Sequence, residues 1–154
     1  KETITPRDMT RLCQSFAPYY DVILVDCPAG VGEGFQMGIA GAERALVVTT
    51  PDVICARDAG VVAEMLRQRR IPARLIINRL RPRPILKGLM PDIDEIIDTA
   101  GIRLIGVLPE DDAVPSAMLN GKPLPQKSNI YLCFQNIARR LYGQTVPLAP
   151  LEKM

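Results

Sequence analysis

Short runs of consecutive apolar residues, set between longer stretches with helical spacing, limit what this chain can fold into more than any other feature. The runs lie at 21–26 (Asp-Val-Ile-Leu-Val-Asp), 45–50 (Ala-Leu-Val-Val-Thr-Thr), 72–78 and 102–108. A strand that is apolar on both faces cannot leave one face in water, so such runs suit a parallel sheet covered on both sides. The stretches between them read as helices. Thr5-Pro6-Arg7-Asp8 is a helix start, with a cap, a proline in the first turn and an acid at the third position. That helix is expected to reach Phe16. Others are expected over 35–42, from 52 to about 68, from 90 or 91 to 100 with Gly101 as the stop, over 111–119, and over 129–142 behind a Ser128 cap. The order α-β-α-β-α-β-α-β-α-α predicts an α/β fold with a mostly parallel sheet and helices on both faces.

Several function classes are excluded by composition. The 154 residues contain no histidine, so no Ser-His-Asp or Cys-His pair can form. Cys27 beside Asp26 has no base to activate it. The four cysteines, at 13, 27, 55 and 133, include no close pair, which argues against structural zinc and for buried free thiols. No eighteen-residue apolar run and no signal peptide are present. The net charge of +2 is uninformative, but its distribution is uneven. Residues 67–87 carry eight bases and no acid, and 92–112 carry seven acids and one base. That pattern reads as a solvated face, or as a surface that steers an anion or a partner. The first residue is Lys1 in a polar run, which reads as a piece of a longer polypeptide.

Ligands in open α/β sheets bind beyond the strands' carboxyl ends, and four features fall there. Asp26 closes a strand beside the Cys27-Pro28-Ala29-Gly30 turn. A carboxylate so placed holds Mg²⁺ through water, or accepts backbone N–H groups from the turn. Asn78 offers both a donor and an acceptor, which suits a purine edge or its own turn. Arg79 beside it stacks on a base or faces solvent. Pro109 ends a strand, and the backbone of Glu110, Asp111 and Asp112 follows, in what reads as a helix's first turn. Asp52, Arg57 and Asp58 open a helix and face a ligand cleft, a partner or solvent. The stretch from Gly30 to Gly34 is glycine-rich but lacks the lysine and Ser/Thr of a phosphate loop.

The run 21–30 resembles the second nucleotide motif of MinD-type septum-site ATPases, in the ParA/MinD group of deviant P-loop proteins. Val48-Thr-Thr-Pro-Asp-Val53 with Arg57-Asp58, Ile77-Asn-Arg79, Leu104-Ile-Gly-Val-Leu-Pro-Glu-Asp111 and Asn120-Gly-Lys-Pro123 match further family segments in order. The likeness covers about residues 18–143. It implies that Asp26 positions Mg²⁺ through water and that Gly30 belongs to the switch sensing the γ-phosphate. Asn78, with Arg79, would meet the adenine edge. Pro109, Glu110 and Asp111 would line base and ribose, and Asp52, Arg57 and Asp58 would lie at a dimer or partner face. ATP and Mg²⁺ are the implied cofactors. The implied partners are a second copy (with ATP), a septum inhibitor, an ATPase activator and, through a C-terminal helix, the inner face of the cell membrane. Nucleic acid is not expected.

Two departures stand against the likeness. The family's phosphate loop lies upstream, on a strand that family topology places between those at 21–26 and 45–50, and it is missing here. The tail 147–154 holds two prolines, which do not suit a membrane helix. Residues 1–143 are therefore expected to be the C-terminal part of one P-loop NTPase domain, with 144–154 a flexible tail. The chain alone is not expected to hydrolyse ATP. A plasmid- or chromosome-partitioning relative, a non-enzymatic binding fragment and an iron–sulfur relative are the rival readings. The last lacks its close cysteine pair.

Overall fold

The computed structural model describes residues 4–148. Ten elements follow in order: α1 (Pro6–Phe16), α2 (Glu33–Ile39), β1 (Ala45–Thr49), α3 (Val53–Gln68), β2 (Ala73–Leu80), α4 (Pro82–Leu86), α5 (Ile93–Ala100), β3 (Leu104–Pro109), α6 (Ala113–Leu119) and α7 (Asn129–Leu141). The strands form one sheet in the order β1-β2-β3, with β2 and β3 parallel. Contacts divide the chain into two compact units, Lys1–Ala45 with Glu64–Ala73, and Leu46–Ala63 with Arg74–Met154. Among the described residues no helix is long and apolar enough to cross a membrane.

The second unit holds most of the core. Leu75, Ile77, Leu80, Ile96 and Ile130 are fully buried, each contributing about 1.5–3 kcal/mol by leaving water. Ile76, Ile105, Leu108, Ile130 and Ile137 form one cluster where α7 packs on β3. Gly106 makes that packing possible. A Cβ there would meet Ile137 Cγ1 well inside van der Waals distance and Cδ1 at 2.6 Å. Helix α5 is stopped and started as its sequence dictates. Asp92 and Glu95 form a reciprocal capping box, with bonds of 2.8 and 3.0 Å, and Gly101 closes the helix in the left-handed region. After α7 the chain turns at Gly143, and the Arg140 guanidinium collects three carbonyls. It donates to Ile105 O (2.8 Å), Val146 O (2.9 Å) and Pro147 O (2.8 Å). The first residues of the expected tail are thus held; 149–154 lie outside the described residues.

In the first unit, α1 begins at the Thr5 cap that its sequence predicts, which closes as a reciprocal capping box with Asp8, and ends at Phe16. It buries none of its residues. Helix α2 buries Phe35, Gly38 and Ile39. Its glycines form a docking face. Added Cβ atoms at Gly34 and Gly38 would run into Pro28 and Cys27, and one at Gly41 would lie 2.9 Å from Cys13 Sγ.

Several expectations fail. Residues 22–28 form no strand, and Val22 and Leu24 are 55% and 83% exposed. A strand exists only through its ladder, and no described residue pairs with this run. In β1 only Val47 and Thr49 are buried, so that strand is not apolar-packed on both faces. No cysteine is fully buried, and Cys27 is exposed. A short helix not expected from the sequence, α4, begins at Pro82 behind Arg81 as its N-cap. Its prolines sit in the first turn, where no N–H is required. Asp111 and Asp112 precede α6 and do not form its first turn. The basic run fits the solvated-face reading: in exposed pairs, Arg67 meets Glu64, and Arg79 and Arg81 meet Glu110.

Candidate functional site

Asp26 lies in the first unit and is exposed. The turn that follows packs through Cys27 and Pro28 onto the glycine face of α2, and this packing places the carboxylate. None of the turn's N–H groups bonds to it; among the described residues its carboxylate accepts no hydrogen bond. Gly30, four residues on, is exposed at φ +88°, with open space where a Cβ would be. A side chain there would be strained even without a clash. The Cys27 thiol is pushed up by partial burial, then by the adjacent Asp26 charge. That shift opposes thiolate chemistry at neutral pH.

Asn78, Arg79, Pro109, Glu110 and Asp111 are brought together in the second unit, at the carboxyl ends of β2 and β3. Strand β2 runs two residues further than its sequence suggested, because it carries a bulge. Ile77 pairs with Val107 and Leu80 with Pro109, so three steps on β2 match two on β3. The surplus falls on Asn78 and Arg79. Arg79 takes φ +57°, and its N–H donates to Asn78 Oδ1 at 3.0 Å. One lobe of the Asn78 oxygen is thereby occupied, and its NH₂ donors are left for a ligand acceptor. Bulges re-aim side chains in this way next to functional sites.

Opposite the bulge, Pro109 is buried and the Glu110 N–H donates to Leu80 O at 2.9 Å. The Glu110 carboxylate reaches back to β2. It accepts from Arg79 Nη2 at 3.3 Å and from Arg81 Nε in a short contact. The Arg81 bond, and after it the charges of both arginines, hold Glu110 below the ordinary carboxylate range; Arg81 is raised in turn. Asp111 Oδ1 accepts from Ala113 N at 2.8 Å, which fastens the loop to the start of α6.

Asp52, Arg57 and Asp58 sit at the start of α3. Asp52 is its cap: Oδ1 accepts from Cys55 N at 2.8 Å and Oδ2 from Thr50 Oγ1 at 2.6 Å. These bonds lower its pKa, the Cys55 backbone bond most. Arg57 and Asp58 are exposed. A groove lined by Val53, Ala56, Pro91, Glu95, Ile96, Asp98 and Thr99 lies beside them.

Sequence reasoning passed over Arg81 and the α2 glycines. Gly34 and Gly38 are spaced i, i+4 on one face, a signal that was legible. Arg81 gave none, because its partner lies twenty-nine residues away.

Asp26 fits Mg²⁺ as an outer-sphere acceptor, since that ion keeps several waters and needs few protein carboxylates. Among the described residues no three His, Cys, Asp or Glu converge on a metal position. The sequence has no lysine-bearing phosphate loop. Within the first unit the donors therefore suit one water-mediated contact to the ion, and within the second they suit the base end of a nucleotide; neither set supplies a phosphate cradle. Neither by itself suits the triphosphate.

The family model described as the CobQ/CobB/MinD/ParA nucleotide binding domain matches residues 9–124. The chain is 36% identical over 157 residues to the septum site-determining protein MinD of Bacillus subtilis (strain 168), covering 99% of this chain and 59% of that one. It superposes with a TM-score of 0.90 on MinD in the MinC:MinD cell division protein complex of Aquifex aeolicus, at 30% identity, covering 97% of this chain and 63% of that one. With Pyrococcus horikoshii OT3 MinD, solved with Mg-ADP, the TM-score is 0.78 at 26% identity, with coverage of 88% and 56%. The chain thus spans less than two thirds of the length of these relatives. The parallel sheet and its helices match the P-loop NTPase fold of those structures, and the chain belongs to the CobQ/CobB/MinD/ParA nucleotide-binding domain family, in its MinD/ParA group.

Proposed function

We propose that this chain supplies the magnesium-facing carboxylate and the base-recognition edge of a MinD-like, ATP-hydrolysing regulator of division-septum placement. The observation that carries the reading is the β2–β3 edge, where a bulge sets Asn78, its Oδ1 accepting from the Arg79 N–H, at the carboxyl end of β2 and Leu80 pairs with Pro109 at the start of the Pro109–Asp111 loop. The family match and a MinD relative solved with Mg-ADP support it. Asn78 and Arg79 contact the adenine, and the backbone of Pro109, Glu110 and Asp111 lines base and ribose. Asp26 orients a magnesium-bound water, and Gly30 lets the adjoining switch follow the γ-phosphate. When bound, Mg²⁺ neutralises charge on the phosphate oxygens.

Residues 1–143 act as one part of a nucleotide-binding domain and 144–154 as its tail. Asp52, Arg57 and Asp58 form a face for a second copy and for regulators. A septum inhibitor is one of these, in line with the MinC:MinD relative. The parent protein works in the cytoplasm and at the membrane's inner face. The chain alone is inactive, because phosphoryl transfer needs a cationic phosphate cradle that this sequence lacks.

The test is a ¹⁵N NMR titration of the 154-residue chain with Mg-ATP, alongside a phosphate-release assay. The expected result is a shift of the Asn78 side-chain NH₂ and of the Glu110 and Asp111 amides, with no phosphate release. Shifts confined to other residues at millimolar nucleotide overturn the base-edge assignment. A measurable ATPase rate in material of verified length overturns the assignment of inactivity.

A further inference from the structure

We propose that Glu110 is a positioning residue for base recognition: by holding Arg79 and Arg81 at once, it locks the β2 bulge that aims the Asn78 amide. The proposal rests on the base-edge reading above and adds to it the device that sets the geometry.

The bulge is not self-supporting. Arg79 sits at φ +57°, a conformation that costs any residue with a Cβ free energy and persists only when its surroundings over-determine it. Locally it is held by one bond, from its own N–H to Asn78 Oδ1. That bond is also what orients the amide. If Arg79 relaxes to negative φ, its N–H turns away and the Asn78 side chain loses the one hydrogen-bond partner it has among the described residues. The restraint that remains comes from the neighbouring strand. Glu110 N–H fixes Leu80 O, immediately after the bulge. The two carboxylate oxygens divide between Arg79, inside the bulge, and Arg81, two residues beyond it. One carboxylate therefore spans the irregularity from its strained residue to its far flank.

The alternative is that these are two ordinary surface ion pairs, both arginines being largely exposed. Such pairs add little to stability. The distinction is therefore sought in ligand recognition and not in melting temperature. A carboxylate that only decorates the surface leaves the Asn78 amide where it is. One that locks the bulge moves it when neutralised.

The experiment uses the 154-residue chain, with adenosine as the probe so that no phosphate contact contributes. In Glu110→Gln, the Asn78 side-chain NH₂ resonances move in the unliganded protein. Adenosine binds about fivefold more weakly, the scale of losing two charge-assisted contacts at an exposed site. Far-UV circular dichroism and thermal midpoint stay at wild-type values. Arg81→Gln gives a smaller loss in the same direction, and Arg81→Lys restores most of it. Raising salt to roughly 0.5 M weakens adenosine binding to wild type but not to Glu110→Gln, since screening removes the same restraint. Should Glu110→Gln fold poorly, Arg81→Gln with its lysine rescue carries the test. Wild-type adenosine affinity and unmoved Asn78 resonances in the variants overturn the positioning role and leave the base-edge reading standing. If wild type itself shows no adenosine shift at Asn78, both fall together.

Discussion

Gly106→Ala is the sharpest probe of how the edge is supported. Gly106 lies in β3 three residues before Pro109, and α7 lies against it. A methyl group there would overlap Ile137 Cγ1 and sit 2.6 Å from Cδ1. Ile137 is only 5% exposed, and it packs in a cluster already filled by Ile76, Ile105, Leu108 and Ile130. Overpacking a filled core costs about 1–3 kcal/mol. Alanine's lower backbone entropy in a strand offsets about 0.5–1 kcal/mol of that. The net destabilisation is about 1–2 kcal/mol, a loss of about 2–8 °C in midpoint for a chain of this length. Urea unfolding followed by far-UV circular dichroism measures it, since the chain has no tryptophan. The decisive measurement is the double-mutant cycle with Ile137→Ala. Alone, Ile137→Ala opens a cavity at a cost of about 2–5 kcal/mol. On the Gly106→Ala background it costs less by about 1 kcal/mol, because the new methyl occupies the vacated space. A neutral or stabilising Gly106→Ala, or an additive cycle, refutes the packing argument.

Three other outcomes follow from the geometry. Arg140→Ala removes three hydrogen bonds to Ile105, Val146 and Pro147 carbonyls; a loss of about 2–3 kcal/mol and faster amide exchange over 144–148 are expected, and unchanged exchange there would contradict the clamp. Asp52 has its pKa depressed in the folded chain, below its ordinary 3.8, so its cap contributes stability above that value and loses it as pH falls through the lowered one; Asp52→Asn keeps an acceptor and flattens this acid limb, and Asp52→Ala costs about 1 kcal/mol at neutral pH. Asp26→Asn leaves stability within about 0.5 kcal/mol of wild type, as expected for an exposed carboxylate with no hydrogen-bond partner among the described residues, and a larger loss by urea titration would reveal a structural role.

The local determinants of the fold were legible. Thr5 with Asp8, Ser128 and Gly101 mark helix ends where the structure has them, because a cap is satisfied within four residues. Asp92 was the cap that reading missed: α5 starts at Ile93, not at 90 or 91, although the Asp-x-x-Glu signal was present in the sequence. The run 22–26 shows the opposite limit. Its composition is that of a strand, yet β structure is a property of pairs. Without a ladder among the described residues, the same side chains stand in solvent. Its end was still recognisable, because Asp26 and its Pro-Ala-Gly turn are a chemical signature that does not depend on pairing.

The proposed base edge divides along the same line. That Asn78 and Pro109–Asp111 are candidates was legible in the sequence, because an amide and a proline-broken strand mark themselves wherever they stand. What aims them could not be named. Arginine has no local preference for positive φ, so nothing in Ile77-Asn78-Arg79-Leu80 announces a bulge. The bulge arises because β3 offers two residues where β2 spends three, a mismatch defined only once both strands are in register. Its restraint is a carboxylate thirty-one positions away from Arg79. A bulge written locally, with glycine or asparagine at position 79, would need no such restraint. Arginine there makes the conformation conditional on Glu110, so the edge is open to ionic strength and to neutralisation of one carboxylate. Arg79→Gly separates the two cases. If the bulge is conditional, glycine removes the strain and keeps the Asn78 amide in place; adenosine binding, weaker by the lost Arg79 contact, becomes insensitive to salt and to Glu110→Gln.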